Sequence, residues 1–421
     1  MAGDPVPGPA PGVDSRRWSV IAGSTATFAV LFDGTAAMMA LPGLGAELGF
    51  GFGGRQWVVV AHALAVAAVA AAGGAVADRL GTGRAFRLGA VLFGAGAVAS
   101  GAAGSLLALI LARCVQGVGS GLLLATAARL VGREPGTRTT SAKPVDRGPV
   151  ELVDQEFRGS ADPADRDSAS GAGPVDRESR SAATPVDPEF RSAATPVRRE
   201  WRGVVGTLAG ALGLVGGGAL AEVDWRLVFL AVLPVGVLLL AIGHVHLRVG
   251  EPRTRTTADR SRSGDRAFLG TAAVTCTSAA LGLGTVFLEA LRLQDEPGRS
   301  PLDALAHLSP LVAAMITAAV LARRLGPGPA TSTLLVTLGA ALVAGAGPLL
   351  PLGLVALGAG LGPAAARHVN QTHHHIGVAV GVLTLGALVH HRALVCAVVG
   401  TAVSLVAFAW VGRDPVTATD A

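Results

Sequence analysis

The chain has 421 residues and few charged side chains: 15% are charged, whereas 51% are hydrophobic. A soluble protein needs roughly a quarter of its residues charged, so this composition excludes the soluble globular class. Tyrosine is absent, and Lys143 is the only lysine, so arginine supplies the net charge of +5. Because the arginines cluster between apolar runs, they indicate membrane-flanking loops, and we expect no nucleic-acid partner.

Cysteine is also scarce. Cys114, Cys276 and Cys396 all fall inside apolar runs and are odd in number, which argues against a disulfide framework. Glycine, by contrast, occurs 58 times. Small residues let membrane helices approach each other closely, so the composition favours a tightly packed helical bundle.

Long apolar runs divide the chain into twelve predicted membrane helices. A helix needs about 20 residues to cross the hydrocarbon core. This criterion gives helices at 18–42, 56–77, 86–104, 105–131, 203–222, 225–247, 268–290, 304–324, 330–349, 350–367, 375–391 and 393–412. With a cytoplasmic N-terminus, and leaving one long insert aside, fifteen arginines lie in inside segments and five in outside loops. The positive-inside rule predicts such an asymmetry. We therefore predict an all-α integral membrane protein of the cytoplasmic membrane, with both termini in the cytoplasm.

The polar segment at residues 133–200 interrupts this pattern. It is rich in Pro, Ser, Asp and Arg, and "RSAATPV" occurs at 180–186 and again at 191–197. Such a composition buries too little apolar surface to fold, so we predict a disordered cytoplasmic insert; a partner-docking role is the alternative. The other parts are an N-terminal tail (1–17), helices one to four (18–132), helices five and six (201–247), a linker (248–267), helices seven to twelve (268–412) and a C-terminal tail (413–421).

Two polar motifs lie inside predicted helices. "LFDGTAAMMALP" at 31–42 contains Asp33, and helical steps from it reach mostly alanine, so Asp33 faces a close helix contact or a cavity. In "ARCVQGVGSG", Arg113 and Gln116 share a helix face with the next small residues. A charge in the membrane costs about 2.5–3.5 kcal/mol on insertion scales and faces a bundle interior. The alternatives are an Arg satisfied by backbone carbonyls and an Asp that is only hydrogen-bonded between helices.

The segment "GAVADRLGTGR" at 74–84 separates the second and third predicted helices. Fixed charges beside two helix ends can form ion pairs that exist in one conformation and break in another. We assign a conformational gate to this segment, with Asp78 and Arg84 as its latch; an ordinary positive-inside anchor is the alternative. The predicted gate residues are Gly74, Asp78, Arg79, Gly81 and Arg84.

Further glycines and ionisable residues have simpler interpretations. Gly213 and Gly217 form a GxxxG step, and with Gly117 and Gly121 they are predicted to pack helices together. Glu289 is an additional site candidate near the end of the seventh helix. Lone membrane histidines, such as the one at position 62, are more often structural than ligands.

The histidines at 373–375, with those at 368, 390 and 391, raise the possibility of a metal or pH-sensing site. Adjacent histidines in a loop share no face, and no Cys or carboxylate completes a ligand set, so we expect no metal and no other cofactor. The chain contains no phosphate loop, nucleophile elbow or metalloprotease helix, and we do not expect an enzyme.

Taken in order, these motifs resemble the major facilitator superfamily, specifically the bacterial drug:proton antiporters with fourteen helices. "WRLVFLAVLPVG" at 225–236 and "FLEALRLQDEPGRSPLDALAHLSP" at 287–310 add to the likeness. It implies two six-helix halves and proton-coupled export of drugs or other small apolar or cationic compounds. In this scheme Asp33 carries the coupling proton, Arg113 tunes it, and Gln116 belongs to the same proton-coupling or substrate site. The implied partners are a small-molecule substrate and the lipid bilayer, and we expect a monomer.

The chain departs from that family at several places. Thr82 and Gly83 replace a usual basic pair, Leu214 replaces a usual proline, two central helices are missing, and residues 368–392 match poorly. These departures leave two alternatives open: a non-transporting membrane protein that acts as a sensor or scaffold, and a metabolite transporter.

Overall fold

The structure, a computed structural model, describes residues 13–131, 188–247, 266–325, 329–344, 349–366 and 371–387. Every regular element in these ranges is an α-helix, which confirms the all-α prediction. In chain order they are α1 (Val13–Glu47), α2 (Phe52–Leu80), α3 (Thr82–Gly101), α4 (Leu106–Val131), α5 (Pro188–Val223), α6 (Trp225–Leu230), α7 (Leu233–Val245), α8 (Arg266–Asp295), α9 (Pro301–Leu325), α10 (Pro329–Ala344), α11 (Leu350–Ala366) and α12 (Gln371–Ala387).

Eleven of the twelve predicted helices overlap these elements, and the predicted helix at 393–412 lies outside the described residues. Seven helical segments of the described chain are long and apolar enough to cross a membrane. The predicted sixth helix is divided into α6 and α7 because Pro234, at the start of α7, has no N–H to donate to the preceding turn. The helix end predicted at Pro42 is wrong, since α1 continues through this proline to Glu47.

Among the described residues, those up to 131 and those from 194 onward belong to one compact unit. Residues 133–187 of the predicted insert lie outside the described residues. Helix α5 nevertheless begins at Pro188, earlier than the predicted start at residue 203.

Two glycines with positive φ mark opposite ends of the first helices. Gly49 (φ 71°) lies between α1 and α2, and Gly81 (φ 83°) is the only residue between α2 and α3. A left-handed φ favours glycine because a Cβ would clash with the backbone. The predicted loop at 74–84 is therefore a one-residue turn, and its charged residues are helical. We call the two sides of the bundle the Gly49 end and the Gly81 end.

Glycine also sets how closely the helices pack. A Cβ at Gly117 of α4 would lie 2.7 Å from the His62 carbonyl oxygen of α2, and one at Gly217 of α5 would lie 2.6 Å from Ala36 Cα of α1. Gly121 and Gly213 are similarly close to α2 and α1. A side chain at any of these positions would push two helices apart.

The first half of the chain (α1–α7) contacts the second half (α8–α12) along several helix pairs, which include α1 with α8. Helix α2 packs against α12. Helix α5 approaches α9, where a Cβ at Gly218 would lie 3.2 Å from Leu305 Cβ.

Candidate functional site

Three polar side chains form a closed hydrogen-bonded ring inside the first half. Arg113 Nη1 donates to Asp33 Oδ2 at 2.8 Å and to Gln116 Oε1 at 2.7 Å, and Gln116 Nε2 donates to Asp33 Oδ1 at 2.9 Å. Asp33 is 2% exposed, Arg113 1% and Gln116 0%. We call Asp33, Arg113 and Gln116 the polar ring.

Small residues bring α1 and α4 close enough to form this ring. Asp33 lies on a face of α1 whose other members are buried alanines: Ala26, Ala29, Ala36, Ala37 and Ala40. On α4, Arg113 and Gln116 are one turn apart and point the same way. Gly96 of α3 lies directly against the Gln116 backbone, where a Cβ would be 2.5 Å from the Gln116 nitrogen. The ring is thus held by the packing of three helices.

Further contacts fix the ring from either side. The Arg113 guanidinium lies over the Phe229 ring, 5.5 Å from its centroid. Next to Asp33 on the chain, Thr35 Oγ1 donates to the Gly210 carbonyl of α5 at 3.0 Å. Together these contacts tie α1, α4, α5 and α6 to one site.

The ring can respond chemically to a proton. Both carboxylate oxygens of Asp33 accept hydrogen bonds, so a proton on either oxygen removes an acceptor from Arg113 or Gln116. Removing one partner of a buried ion pair costs about 3–5 kcal/mol, since the other charge is left uncompensated. A change in the charge of Asp33 would therefore alter the contacts that Arg113 of α4 makes.

At the Gly81 end, the described ion pair differs from the predicted latch. Asp78 Oδ1 accepts from Arg129 Nη1 at 2.7 Å, and Arg129 Nη2 also donates to the Gly74 carbonyl at 2.8 Å. Arg79 and Arg84 are exposed. Arg129 lies in the last turn of α4, where a basic residue is typical of an ordinary helix anchor, so its sequence position gave no signal of a specific partner.

Glu289 of α8 lies apart from the polar ring. It is 7% exposed, and its Oε2 accepts from Arg292 Nε at 3.1 Å, one turn along the same helix. No contact among the described residues joins it to Asp33. Its partner therefore belongs to its own helix, near the Gly49 end.

His62 of α2 is the residue near the ring that sequence reasoning missed. It is 3% exposed, and its Nε2 lies 3.8 Å from Asp33 Oδ2. A lone histidine in an apolar run has no partner in the local sequence, so only the packing of α1 on α2 reveals its neighbour. Of the three adjacent histidines, the structure places all in α12, with His375 buried. The described residues contain no cluster of three or more metal-ligating side chains.

A cavity of about 310 Å³ lies near the Gly49 end between α1, α5, α6 and α9. Its lining includes Met39, Glu47 and Trp225. Glu47 Oε2 accepts from Trp225 Nε1 at 2.6 Å, and Arg226 Nη2 donates to Glu47 Oε1 at 2.6 Å. The volume is at the lower end of the range that suits small organic molecules.

The polar ring and its helices carry a recognisable family pattern. Residues 23–134, which include Asp33, Asp78 and Arg113, match the family model described as Major Facilitator Superfamily. The chain is similar in fold to the human organic anion transporter MFSD10 (TETRAN), with a TM-score of 0.60 and 14% identity over 94% of this chain and 99% of that one. The fold is thus shared with a known transporter, and the seven long apolar helices of the described residues are those of a multi-pass membrane protein.

Curated relatives align with parts of the chain. The puromycin resistance protein pur8 of Streptomyces alboniger is 38% identical over 131 residues, which are 30% of this chain and 26% of the relative. The MFS-type transporter EfpA of Mycobacterium tuberculosis is 27% identical over 253 residues, 60% of this chain and 36% of the relative. The cephamycin export protein CmcT of Amycolatopsis lactamdurans is 38% identical over 105 residues, which are 25% of this chain and 22% of the relative. The aligned part thus spans about a third or less of these relatives.

The ring predicts a specific pattern of stabilities. Arg113→Met should lower the free energy of unfolding by about 3–5 kcal/mol, because it leaves the Asp33 carboxylate buried without its counterion. The double variant Arg113→Met with Asp33→Ala should regain most of that loss, since it removes both charges. Denaturant titration of the purified protein in detergent measures all four members of the cycle.

The exposed pair Glu47–Arg226 provides the matched control, and its cycle with Glu47→Ala and Arg226→Met should show a coupling too small to resolve. Additive losses from Arg113→Met and Asp33→Ala would contradict the interpretation of the ring as a mutually dependent ion pair.

Proposed function

We propose that the chain is a secondary active transporter that exports small, mostly apolar or cationic compounds in exchange for protons. The observation that carries this proposal is the polar ring, a carboxylate paired with a guanidinium inside a membrane bundle. An ionisable residue in such a position is expensive and marks a proton or substrate pathway.

The coupling follows because a proton and Arg113 compete for one carboxylate, that of Asp33. Without a proton, Asp33 balances the charge of Arg113 and holds Gln116. With a proton, Asp33 is neutral, and Arg113 is free to change its contacts. Removal from water favours the neutral form of a carboxylate, and access of water favours the charged form. If the two halves open alternately to either side, the carboxylate binds a proton on one side and releases it on the other.

The substrate class rests on the relatives and on the cavity. The names of pur8 and CmcT refer to puromycin resistance and cephamycin export, so the similarity of this chain to them supports small-molecule export. The cavity near the Gly49 end has an aromatic and a carboxylate lining residue, Trp225 and Glu47, which suits an apolar or cationic compound.

We assign the Gly81 end to the cytoplasm of a cytoplasmic-membrane protein. Among the described residues, arginines outnumber acidic residues at this end: Arg17, Arg79, Arg84, Arg87 and Arg129 lie near Asp78. At the Gly49 end the balance is reversed, and Arg55, Arg226 and Arg299 are each paired with an acidic side chain. The positive-inside rule favours this orientation.

The transport proposal predicts that Asp33→Asn abolishes proton-driven export. Asn keeps the size of the side chain and can still bond to Arg113, but it cannot bind the coupling proton. Inverted membrane vesicles energised with a proton gradient should accumulate ethidium with the wild-type protein, and the rate should fall at least about tenfold in the variant, as for loss of an essential proton-transfer group.

Asp303→Asn, a change of the same type at an exposed site, is the control and should retain the wild-type rate. Undiminished ethidium uptake by Asp33→Asn would contradict the proposal. No uptake by the wild-type protein above that of empty vesicles would instead favour the non-transporting alternative.

The orientation is tested by labelling in a variant whose three cysteines are replaced by serine. A cysteine at exposed Arg84 should react with a membrane-impermeant maleimide in inverted vesicles but not in intact spheroplasts. A cysteine at Pro297, which is exposed at the Gly49 end, should show the reverse pattern. Labelling of Arg84→Cys in intact spheroplasts would overturn the assignment.

A further inference from the structure

Two buried histidines lie on facing helices from opposite halves of the chain. His62 of α2 is 3% exposed and His375 of α12 is 6% exposed. Both ring nitrogens of His62, and Nε2 of His375, have no hydrogen-bond partner among the described residues. Buried polar atoms in proteins are nearly always hydrogen-bonded, so unpartnered imidazoles at this position need an explanation.

Ionisable side chains of neighbouring helices surround His62. Asp33 faces it from α1, with 3.8 Å between His62 Nε2 and Asp33 Oδ2. Arg113 of α4 is bonded to the same Asp33 oxygen, and α12, which carries His375, packs against α2. Behind His375 lies His374, with the two ring centroids 5.2 Å apart. His62 thus connects the polar ring of the first half to a histidine of the second.

How near His375 lies to His62 depends on how the two halves meet along α2 and α12. Helices α2 and α12 also meet at Gln56, whose Nε2 donates to the Val382 carbonyl at 2.8 Å. Gln56 lies nearer the Gly49 end than His62. A separation of α2 from α12 at that end would therefore break the Gln56 bond and let water reach both imidazoles.

We propose that His62 loads Asp33 with its proton: it binds a proton from water when α2 and α12 are apart, and it passes that proton to Asp33 when His375 closes against it. This inference rests on the proposed function, since it deepens the role of the polar ring. It makes His62 a proton-carrying residue and makes the α2–α12 contact sensitive to pH.

The proton balance is simple. In the open state the imidazole is wet, and an ordinary histidine is half protonated near pH 6.5. Closure removes water and brings His375 up to His62, and Arg113 is already close, so the imidazolium becomes unfavourable. The proton leaves Nε2 and binds Asp33 Oδ2, which becomes a carboxylic acid, while Nε2 keeps its electron pair. The net charge of His62, Asp33 and Arg113 is unchanged by the transfer. The gap of 3.8 Å exceeds a hydrogen bond by about 1 Å, which a small ring rotation closes.

Distance measurements on the full chain test this inference without substrate and without a gradient. Spin labels are attached to Gly53→Cys in α2 and Pro297→Cys after α8, both exposed, with the native cysteines replaced by serine and the protein in lipid nanodiscs. Double electron–electron resonance then reports the separation of the halves at the Gly49 end. Wild-type protein should show the short distance at pH 8 and a growing long-distance population toward pH 5.

His62→Gln and His62→Asn should lose this dependence on pH and keep the short distance from pH 8 to pH 5, which also shows that both variants fold. His375→Gln should move the midpoint toward acid by roughly half a pH unit or more, because a neighbouring charge is removed. His307→Gln, an exposed change of the same type, should keep the wild-type profile.

The inference would be overturned if both His62 variants kept the wild-type dependence on pH. It would also be overturned if the label distances in the wild-type protein did not change with pH. The variant Asp33→Asn distinguishes this inference from the proposed function. It should lose proton-driven ethidium uptake, but it should still open in acid because its imidazoles are intact. If only the transport assay failed, the opening in acid could still be measured from the label distances.

Discussion

The structure depends on a carboxylate and a guanidinium that lie side by side, both buried inside the helical bundle. Neither Asp33 nor Arg113 is stable alone in a buried site, so each requires the other, and Gln116 completes the hydrogen bonds of the pair. The helices that carry them must hold a spacing of less than 3 Å between donor and acceptor. The alanine face of α1 and the glycines of α3 and α4 meet this requirement, because they allow backbones to approach closely.

The same ring links the local chemistry to the architecture. Thr35 extends it to α5, Phe229 extends it to α6, and His62 extends it toward α12 of the second half. A change of charge at Asp33 therefore acts on helices that meet the other half of the chain. This connection is the physical basis on which proton binding and a rocking motion can be coupled in the proposed transporter.

Sequence reasoning anticipated the parts of this site that a single helix determines. The spacing of Arg113 and Gln116 predicts a shared face, and an aspartate among alanines predicts a close helix contact. It did not anticipate Arg129 as the partner of Asp78, or His62 beside Asp33, because those contacts join residues 51 and 29 positions apart through packing. The one-residue turn at Gly81 and the break before Pro234 were also missed, since charged residues near a Gly-rich stretch are typical of loops.

The most direct measurement for this account is proton release on substrate binding. Purified wild-type protein in weakly buffered detergent at pH 7, with a pH indicator dye, should release protons when ethidium is added, at up to one per bound molecule because one carboxylate is shared. Asp33→Asn should bind ethidium without releasing protons. Equal proton release from Asp33→Asn and wild type, at the same ethidium occupancy, would contradict the claim that Asp33 exchanges a proton for substrate.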